Sequence, residues 1–366
     1  MDWSVKFWDP ALSFRLLEDQ VMGTVHGVLA QGDLVMRQQM EDFEHHLAGF
    51  VGTTYGVGVS NCTDGLRLTL EALGIGPGDE VITVAHTFVA TVAAIHHAGA
   101  TPVLVDVGSD HNMDIDALAA AVTPATRAII PVHLNGRLCQ MDRVMEIAAG
   151  HQLLVIEDSA QALGASFDGI PGGRWGTAAA FSFYPAKLLG AYGDAGVVVT
   201  SDSDLANNLR ALRDHGRVSK TDLNGWGYNC RLDNLQAALL DMKLSHLPAW
   251  IERRRFLAGL YDELLRGLPG VVLPPAPATG RHFDVYQNYV IEADARDSLV
   301  AHLADKGVET LVSWPLPLHR QPLGLEHFVL PMTDRLSARV VSLPMYPELD
   351  DAQVEEVAGA VQSFFK

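Results

Sequence analysis

One lysine stands out because of the residues that precede it. Lys187 ends the segment 182–187 (SFYPAK), in which two aromatic residues and a proline follow an apolar, strand-like run. Binding residues concentrate on turns of this kind, immediately after buried strands. A lysine held there is suited to react with an aldehyde, because desolvation favours its unprotonated amine. Considered alone, Lys187 also fits a solvated surface lysine, so its interpretation depends on a partner.

A carboxylate supplies that partner. Asp158 follows the apolar run 153–157 (LLVIE) and is therefore predicted at the carboxyl end of a strand, where open α/β sheets bind ligands. A lysine and a carboxylate placed in this way can hold pyridoxal 5′-phosphate (PLP) by its aldehyde and its ring nitrogen, respectively. Asp158 would keep the ring protonated, so that the ring accepts electrons from a substrate α-carbon. The alternative is that Asp158 or Ser159 only caps a helix.

The phosphate group of PLP requires backbone N–H groups at the start of a helix, together with hydroxyl groups. The segment 60–65 (SNCTDG) follows a predicted strand and begins a helix, so we expect Thr63 and Asp64 to offer their amides there. Ser182 would add its hydroxyl. An ordinary helix cap is the alternative for 60–65, because a motif this short is weak evidence.

Two further residues are candidates for contacts with the ring. Gln161 lies three residues after Asp158 and is placed to contact the ring hydroxyl. Phe88 begins a helix beyond a predicted strand and is placed to stack on the ring. Gln161 also fits a polar residue on a first helical turn, and Phe88 also fits core packing. The interpretation as a PLP enzyme therefore depends on the whole set of residues.

Composition restricts the class of protein further. The formal net charge of −18 and the pI of about 5.1 indicate a surface that repels nucleic acid. We expect a soluble, cytoplasmic protein, because no apolar stretch is long enough for a bilayer and the start lacks a signal peptide. Cys62, Cys139 and Cys230 indicate reduced thiols, since their number is odd and no C-x-x-C pair occurs. The histidine pairs 45–46 and 96–97 lack carboxylates at ligand spacing, so no metal site is expected.

The order of apolar and amphipathic segments predicts an α/β protein with a mostly parallel central sheet and a second, smaller α+β domain. The N-terminal helices, notably 35–50, and the large domain are expected in 1–270, and the small domain in 271–366, because prolines and glycines gather near 270. The predicted strands of the large domain are 56–60, 80–84, 102–107, 128–133, 153–157, 179–183 and 196–200. The predicted helices include 64–73, 89–97, 114–122 and a long stretch at 233–268 that is broken near 247. The predicted elements of the small domain are strands 286–291 and 308–312 and helices 296–306 and 351–364.

Several long motifs in order resemble the DegT/DnrJ/EryC1/StrS family of PLP-dependent nucleotide-sugar aminotransferases. They are 157–165 (EDSAQALGA), 181–187 (FSFYPAK), 227–232 (GYNCRL), 76–82 (GPGDEVI), 131–136 (PVHLNG) and 343–347 (LPMYP). The resemblance extends over nearly the whole chain. It implies the aspartate-aminotransferase-like fold (fold type I), a homodimer with shared active sites, L-glutamate as amino donor and a nucleotide-linked 3-keto or 4-keto sugar as acceptor.

The resemblance also implies a role for each motif residue. Lys187 corresponds to the lysine that bonds the cofactor aldehyde. The residues that match the family's other PLP contacts are Asp158, Gln161, Thr63, Asp64, Ser182 and Phe88. Asn229 corresponds to a phosphate contact donated by the other subunit, with Arg231 beside it; helix capping and a surface salt bridge are the alternatives for these two. Trp314 and His319 are candidates for the sugar pocket, although 313–315 (SWP) departs from the His-Tyr-Pro of many members.

Two other functions stay open at this point. Some relatives are PLP-type sugar dehydratases that carry histidine at the lysine position, and Lys187 argues against that activity. A PLP-binding regulatory protein without catalysis is the second, which the set of Lys187, Asp158 and Gln161 disfavours. The identity of the nucleotide, the sugar and the stereochemistry of the product do not follow from the sequence.

Overall fold

The computed structural model describes residues 3–277 and 280–365. The helices in that part of the chain are α1 (Pro10–Gln31), α2 (Gln38–Val51), α3 (Cys62–Ala72), α4 (Val89–His97), α5 (Ile115–Ala121), α6 (Met141–His151), α7 (Ser203–Arg213), α8 (Asn234–Leu244), α9 (Leu247–Leu265), α10 (Arg296–Asp305), α11 (Pro331–Arg339) and α12 (Asp351–Phe365). The strands are β1 (Tyr55–Val59), β2 (Glu80–Val84), β3 (Thr101–Val105), β4 (Thr126–Ile129), β5 (Leu154–Asp158), β6 (Ser166–Phe167), β7 (Ile170–Pro171), β8 (Ala178–Ser182), β9 (Gly196–Thr200), β10 (Val271–Val272), β11 (His282–Phe283), β12 (Tyr289–Ala293) and β13 (Val340–Leu343). None of the helices described here is both long and apolar enough to cross a bilayer.

The centre of the fold is a seven-stranded sheet in the order β1-β9-β8-β5-β4-β2-β3. Strands β8, β5, β4, β2 and β3 are parallel neighbours, whereas β9 pairs antiparallel with both β1 and β8. Hydrophobic cores cover both faces of this sheet. Burial on both faces explains why the strand sequences are continuous apolar runs without polar alternation. The carboxyl ends of the parallel strands therefore meet at one edge, which is where a ligand site is expected.

All seven predicted strands of the large domain are present, and β2 and β9 have the predicted ends. The largest difference is at β4, which ends at Ile129 although the apolar run continues to His133. The chain stays extended beyond Ile129, because Val132 forms a parallel bridge with Asp158 and the His133 N–H donates to the Asp158 carbonyl at 3.0 Å. This extension places 130–133 beside the carboxyl end of β5.

The C-terminal part of the chain forms a second core around the sheet β10-β12-β13. The prediction of a strand at 308–312 was wrong: Val308 and Leu311 each form only a single bridge, with Val5 and Ser342. Strand β13 takes the place beside β12 instead, and sequence analysis missed both β13 and α11. Residues of α9 also pack into this second core, so the division of the chain at 270 stays a prediction.

Candidate active site

A cavity of about 520 Å³ opens where β5 and β8 end. This volume lies in the range of small-molecule sites, which is about 300–1,000 Å³. Residues from sequence positions far apart line it, and seven of them are predicted site residues: Thr63, Phe88, Asp158, Gln161, Ser182, Lys187 and Trp314. The fold therefore brings the amine, the carboxylate and the hydroxyl groups to one place.

Lys187 lies on a tight turn that directly follows β8. Its backbone N–H donates to the Tyr184 carbonyl at 2.8 Å, and the turn closes where the Ala191 N–H donates to the Phe183 carbonyl at 2.8 Å. Gly190 is required in this turn, because a Cβ there would lie 2.1 Å from the Pro185 carbonyl oxygen. Desolvation lowers the pKa of the Lys187 amine, and the Asp158 carboxylate opposes part of that shift. The neutral amine needed for attack on an aldehyde is thus favoured.

Asp158 is buried at the end of β5, with 6% of its surface exposed. Its Oδ2 accepts a hydrogen bond from the Thr91 hydroxyl at 2.8 Å, and its Oδ1 accepts one from the Ala160 N–H at 3.2 Å. Burial raises the pKa of Asp158, and these two hydrogen bonds oppose the increase. A buried carboxylate fixed from both sides is suited to pair with a cationic ring nitrogen, which would compensate its burial.

The start of α3 provides the N–H groups for a phosphate. As the first two helical residues, Cys62 and Thr63 have no helical acceptor for their N–H groups, and both line the cavity. Close packing holds this helix start against the sheet: a Cβ on Gly196 of β9 would lie 2.5 Å from the carbonyl carbon of Asn61. Ser182, at the end of β8, adds its hydroxyl to the same cavity. This arrangement suits an anion at a helix N-terminus.

The two residues predicted to contact the ring, Phe88 and Gln161, also line the cavity. Phe88 is 58% exposed although it is a large apolar residue, and it lines the cavity. Gln161 uses its Oε1 to accept the Asn135 N–H at 2.7 Å, which leaves its amide N–H₂ group available as a donor. Together with the partly desolvated amine, the buried carboxylate and the helix start, these residues fit PLP. When bound, PLP would supply an electron sink for the substrate α-carbon.

The structure does not bring Asp64 to the cavity. The Asp64 N–H donates to Asn61 Oδ1 at 2.8 Å, so the amide that was predicted to bind phosphate is already used by the helix cap. The Asp64 carboxylate accepts hydrogen bonds from Ser60 and Arg67. Negative charge there would in any case repel a phosphate, whereas Cys62 and Thr63 line the cavity and keep their N–H groups available.

Three other predicted residues also lie away from this cavity. His319 has 0% exposure and its Nε2 lies 3.0 Å from Asp334 Oδ1, so a role in the sugar pocket has no support. Asn229 is exposed, and Arg231 pairs with Asp214 at 3.0 Å. Their predicted role concerns the site of a second subunit and stays a prediction.

Sequence analysis missed Thr91 and Gln287, which hold the two central groups. Thr91 is fully buried and accepts a hydrogen bond from Thr87 while it donates to Asp158. Gln287 comes from the segment before β12 and contacts the lysine turn from both sides: its Nε2 donates to the Ala186 carbonyl and its Oε1 accepts the Leu188 N–H, each at 2.8 Å. No local motif signals such a contact, because about a hundred residues of sequence separate Gln287 from Ala186 and Leu188.

Gln287→Ala is expected to slow turnover about tenfold, because two buried backbone groups beside Lys187 lose their partners and the turn loosens. The rate at which the Lys187 amine of the apoprotein is acetylated, measured by mass spectrometry, should change as well. Gln362→Ala is the matched control, since Gln362 donates to the Leu264 carbonyl at 2.7 Å far from the cavity. Equal effects of the two variants on turnover and labelling would contradict a positioning role for Gln287.

Comparison with known proteins identifies a family. Residues 16–362 match the family model described as the DegT/DnrJ/EryC1/StrS aminotransferase family. The chain is 40% identical to a pleiotropic regulatory protein of Geobacillus stearothermophilus, with 99% of each chain covered. It is 41% identical to the UDP-N-acetyl-3-dehydro-α-D-glucosamine 3-aminotransferase of Acidithiobacillus ferrooxidans, with 95% of each chain covered.

Solved structures are similar over the same length. DesV of Streptomyces venezuelae has a TM-score of 0.96 at 39% identity, covering 99% of this chain and 98% of that one. The NtdA protein of Bacillus subtilis, solved with its bound cofactor PMP, has a TM-score of 0.88 at 30% identity, covering 94% and 80%. Both similarities include the large and the small core, so they support the predicted α/β fold as a whole.

Proposed function

Because this chain belongs to the DegT/DnrJ/EryC1/StrS aminotransferase family, and is therefore a PLP-dependent aminotransferase, we propose that it transfers the amino group of L-glutamate to a nucleotide-linked 3-keto sugar. The observation that carries this proposal is the pairing of Lys187 with Asp158 in one cavity. Desolvation lowers the pKa of the amine, which favours its neutral form, and the carboxylate is buried and fixed by Thr91. Transamination requires this combination of a nucleophilic amine and a charge partner for the ring.

The chain's own residues have distinct roles in this reaction. With PLP bound, Lys187 would hold the cofactor by its aldehyde, and its amine, once freed by the amino donor, would take the proton from the substrate α-carbon and return it to the carbon that carried the aldehyde. Asp158 would keep the positive charge on the ring nitrogen during both half-reactions. Phe88 and Gln161 would orient the ring, and the first N–H groups of α3 with Ser182 would hold the phosphate. The same steps in reverse deliver the amino group to the keto-sugar.

The choice of a 3-keto sugar rests on relatives. The Acidithiobacillus protein is named as a 3-aminotransferase of a UDP-linked 3-dehydro sugar, and the Streptomyces venezuelae transaminase that is 40% identical is named for a dTDP-3-amino sugar. The cavity also extends past the ring contacts to Leu311, Ser313 and Trp314, which leaves room for a sugar beyond the reacting amine. UDP and dTDP are both candidates for the nucleotide.

A homodimer with shared sites is part of the proposal. Lys187 is the only lysine or arginine among the described residues that line the cavity, whereas the PLP phosphate, glutamate and the nucleotide are all anions. A second copy would add positive charge through Arg231 and a phosphate contact through Asn229. The loop 217–228 supports such docking, because it exposes Val218 (58%), Leu223 (65%) and Trp226 (97%).

The decisive experiment separates the two half-reactions. Purified holoenzyme is mixed with L-glutamate alone, and we expect loss of the cofactor's aldehyde absorbance together with one equivalent of 2-oxoglutarate per site. A nucleotide-linked 3-keto sugar, supplied as its UDP or dTDP form, should then restore the absorbance and yield an amino sugar. L-Aspartate and the corresponding 4-keto sugars serve as comparison substrates.

The outcomes distinguish the rival functions. A deoxy keto-sugar formed without a new amine would identify a dehydratase. A borohydride-trapped adduct on Lys187 without any glutamate half-reaction would favour the non-catalytic regulatory protein, which the name of the Geobacillus relative keeps open. Transfer to 4-keto but not 3-keto sugars would leave the reaction class intact and overturn the proposed sugar.

A further inference from the structure

A second cavity lies on the other side of the lysine turn. It has a volume of about 220 Å³, and Pro185, Lys187 and Gly190 of the turn form one wall. We call it the rear cavity. Its other walls come from the N-terminal segment, α8, α9 and the segment after β13. The aromatic residues Trp8, Tyr192, Trp250 and Tyr346 line the cavity. Because Lys187 lines both cavities, the rear cavity shares a wall with the active site.

The first charged group in the rear cavity is Lys243 of α8, which is only 8% exposed. Its Nζ donates one hydrogen bond, to the Gly190 carbonyl at 2.7 Å, and lies 3.8 Å from the centre of the Tyr192 ring. An ammonium group has three N–H donors, so this arrangement leaves donors free on the cavity side. Burial lowers the pKa of Lys243 to about 8.

The second charged group is Arg254 of α9, which is 4% exposed. Its Nη1 donates to the carbonyls of Tyr286, Gln287 and Met345 at 3.1, 3.2 and 2.9 Å. Its Nε has no hydrogen-bond partner among the described residues. The guanidinium is therefore held in place, because one of its nitrogens donates to three carbonyls. Its positive charge is not neutralised, since carbonyls carry no formal charge.

Glu348 is the only acidic residue among the described residues that line the rear cavity. Its Oε2 is buried without a hydrogen-bond partner. In the part of the chain that the structure describes, neither Lys243 nor Arg254 lies within the 4.0 Å ion-pair distance of Glu348 or of any other carboxylate. Two buried cations and one carboxylate thus line the same cavity, with an excess of one positive charge.

Unpaired buried charges are costly, and a bound counter-ion relieves that cost. We propose that the rear cavity binds a small oxyanion, a carboxylate or a phosphate, between Lys243 and Arg254. Both cations are donors suited to such oxygens, and Arg254 is already held in place. The cavity is smaller than the usual range of about 300–1,000 Å³ for drug-sized ligands, which restricts the ligand to a few heavy atoms and excludes the nucleotide-sugar.

The proposed site is independent of the identity of the two substrates. The anion and the Gly190 carbonyl would both accept hydrogen bonds from Lys243. Binding of the anion would therefore act on the turn that carries Lys187. The aromatic walls provide a signal, because Trp8 and Trp250 both line the rear cavity. Anion binding should therefore change tryptophan fluorescence and raise the melting temperature.

The experiment uses the holoenzyme at constant ionic strength, with sodium chloride replaced stepwise by sodium acetate or by sodium phosphate. We expect a saturable change in fluorescence and melting temperature with at least one of the two oxyanions, and the two titrations distinguish a carboxylate from a phosphate ligand. Lys243→Gln should weaken the apparent affinity by about tenfold or more, because a charged hydrogen bond is lost. Glu348→Gln should strengthen it about threefold or more, since an opposing charge is removed.

Lys306→Gln is the control, because Lys306 is exposed on the small domain and the substitution changes the net charge equally. It should leave both titrations unchanged. The opposite directions expected for Lys243→Gln and Glu348→Gln keep the test decisive even when one variant fails to fold. The proposal is overturned by the absence of any saturable response to acetate and phosphate, or by responses that the Lys243 and Glu348 substitutions do not shift.

Discussion

Lys187→Ala is expected to reduce transamination by about 10⁴-fold or more, because the substitution removes both the covalent attachment and the group that moves the proton. Turnover is measured as 2-oxoglutarate released from L-glutamate. Lys187→Arg is the charge-matched control and should be equally inactive, since a guanidinium stays protonated and does not attack an aldehyde. Transamination at the normal rate by either variant would refute the assignment of Lys187.

Stability provides an independent check on the same residue. The folded-state pKa of Lys187 is lowered, so burial of the ammonium opposes folding below that pKa, and the penalty disappears as the pH rises above the ordinary value of 10.5. Lys187→Met keeps most of the apolar volume without the charge. The Met variant of the apoprotein should therefore melt no lower than the wild type at neutral pH, and the difference should shrink at alkaline pH.

The inactive lysine variant also tests the shared active site. Asn229→Asp is expected to weaken cofactor binding in the partner's site, because a carboxylate repels the phosphate group. When Lys187→Ala and Asn229→Asp chains are unfolded and refolded together, statistical mixing of a symmetric dimer gives hybrids in which one of the two sites is intact, and roughly a quarter of the wild-type activity should return. A mixture no more active than the average of its two parents would contradict the dimer with shared sites.

Asp158→Asn is expected to reduce turnover by about 10² to 10³-fold, because a buried charge pair with the ring nitrogen is replaced by a neutral contact. Cofactor content is measured separately from turnover, so that poor binding is not mistaken for slow chemistry. Thr91→Val is the graded control: it removes only the hydroxyl that donates to Asp158 at 2.8 Å, and about a tenfold loss is expected. Equal turnover of the Asp158 variant and the wild type would show that the carboxylate does not act on the ring.

Asp158→Asn should have the opposite effect on the stability of the apoprotein, which we expect to be maintained or raised. Burial raises the folded-state pKa of Asp158 above its ordinary value of 3.8. The stability associated with the protonated form is therefore complete below pH 3.8 and is lost as the pH rises through the folded-state pKa. Asp158→Asn, which stays neutral, should melt no lower than the wild-type apoprotein at neutral pH, and the advantage should vanish in acid. A variant that loses both activity and stability at neutral pH would indicate a structural role.

Much of the large domain was predictable because its signals are local. A continuous apolar run such as 153–157 forms a buried strand whatever lies elsewhere in the chain, and a polar residue that follows it must lie at the strand's carboxyl end. This reasoning located Asp158, Lys187 and the start of α3. The strand at 308–312 was predicted wrongly for the opposite reason: an extended apolar run does not specify its partner, and β13 occupies the position beside β12.

Local patterns in the sequence thus predicted the reactive groups of the site: an amine, a carboxylate and a helix start. The groups that support them became visible only in the folded chain. Thr91 reaches Asp158, and Gln287 holds the lysine turn, through contacts between segments far apart in the chain. The structure also showed that the Asp64 N–H donates to Asn61 and that Lys243 and Arg254 line one cavity behind Lys187. Such contacts depend on how strands and helices pack in space, and hydrogen bonds over long sequence separations leave no periodic pattern in the sequence.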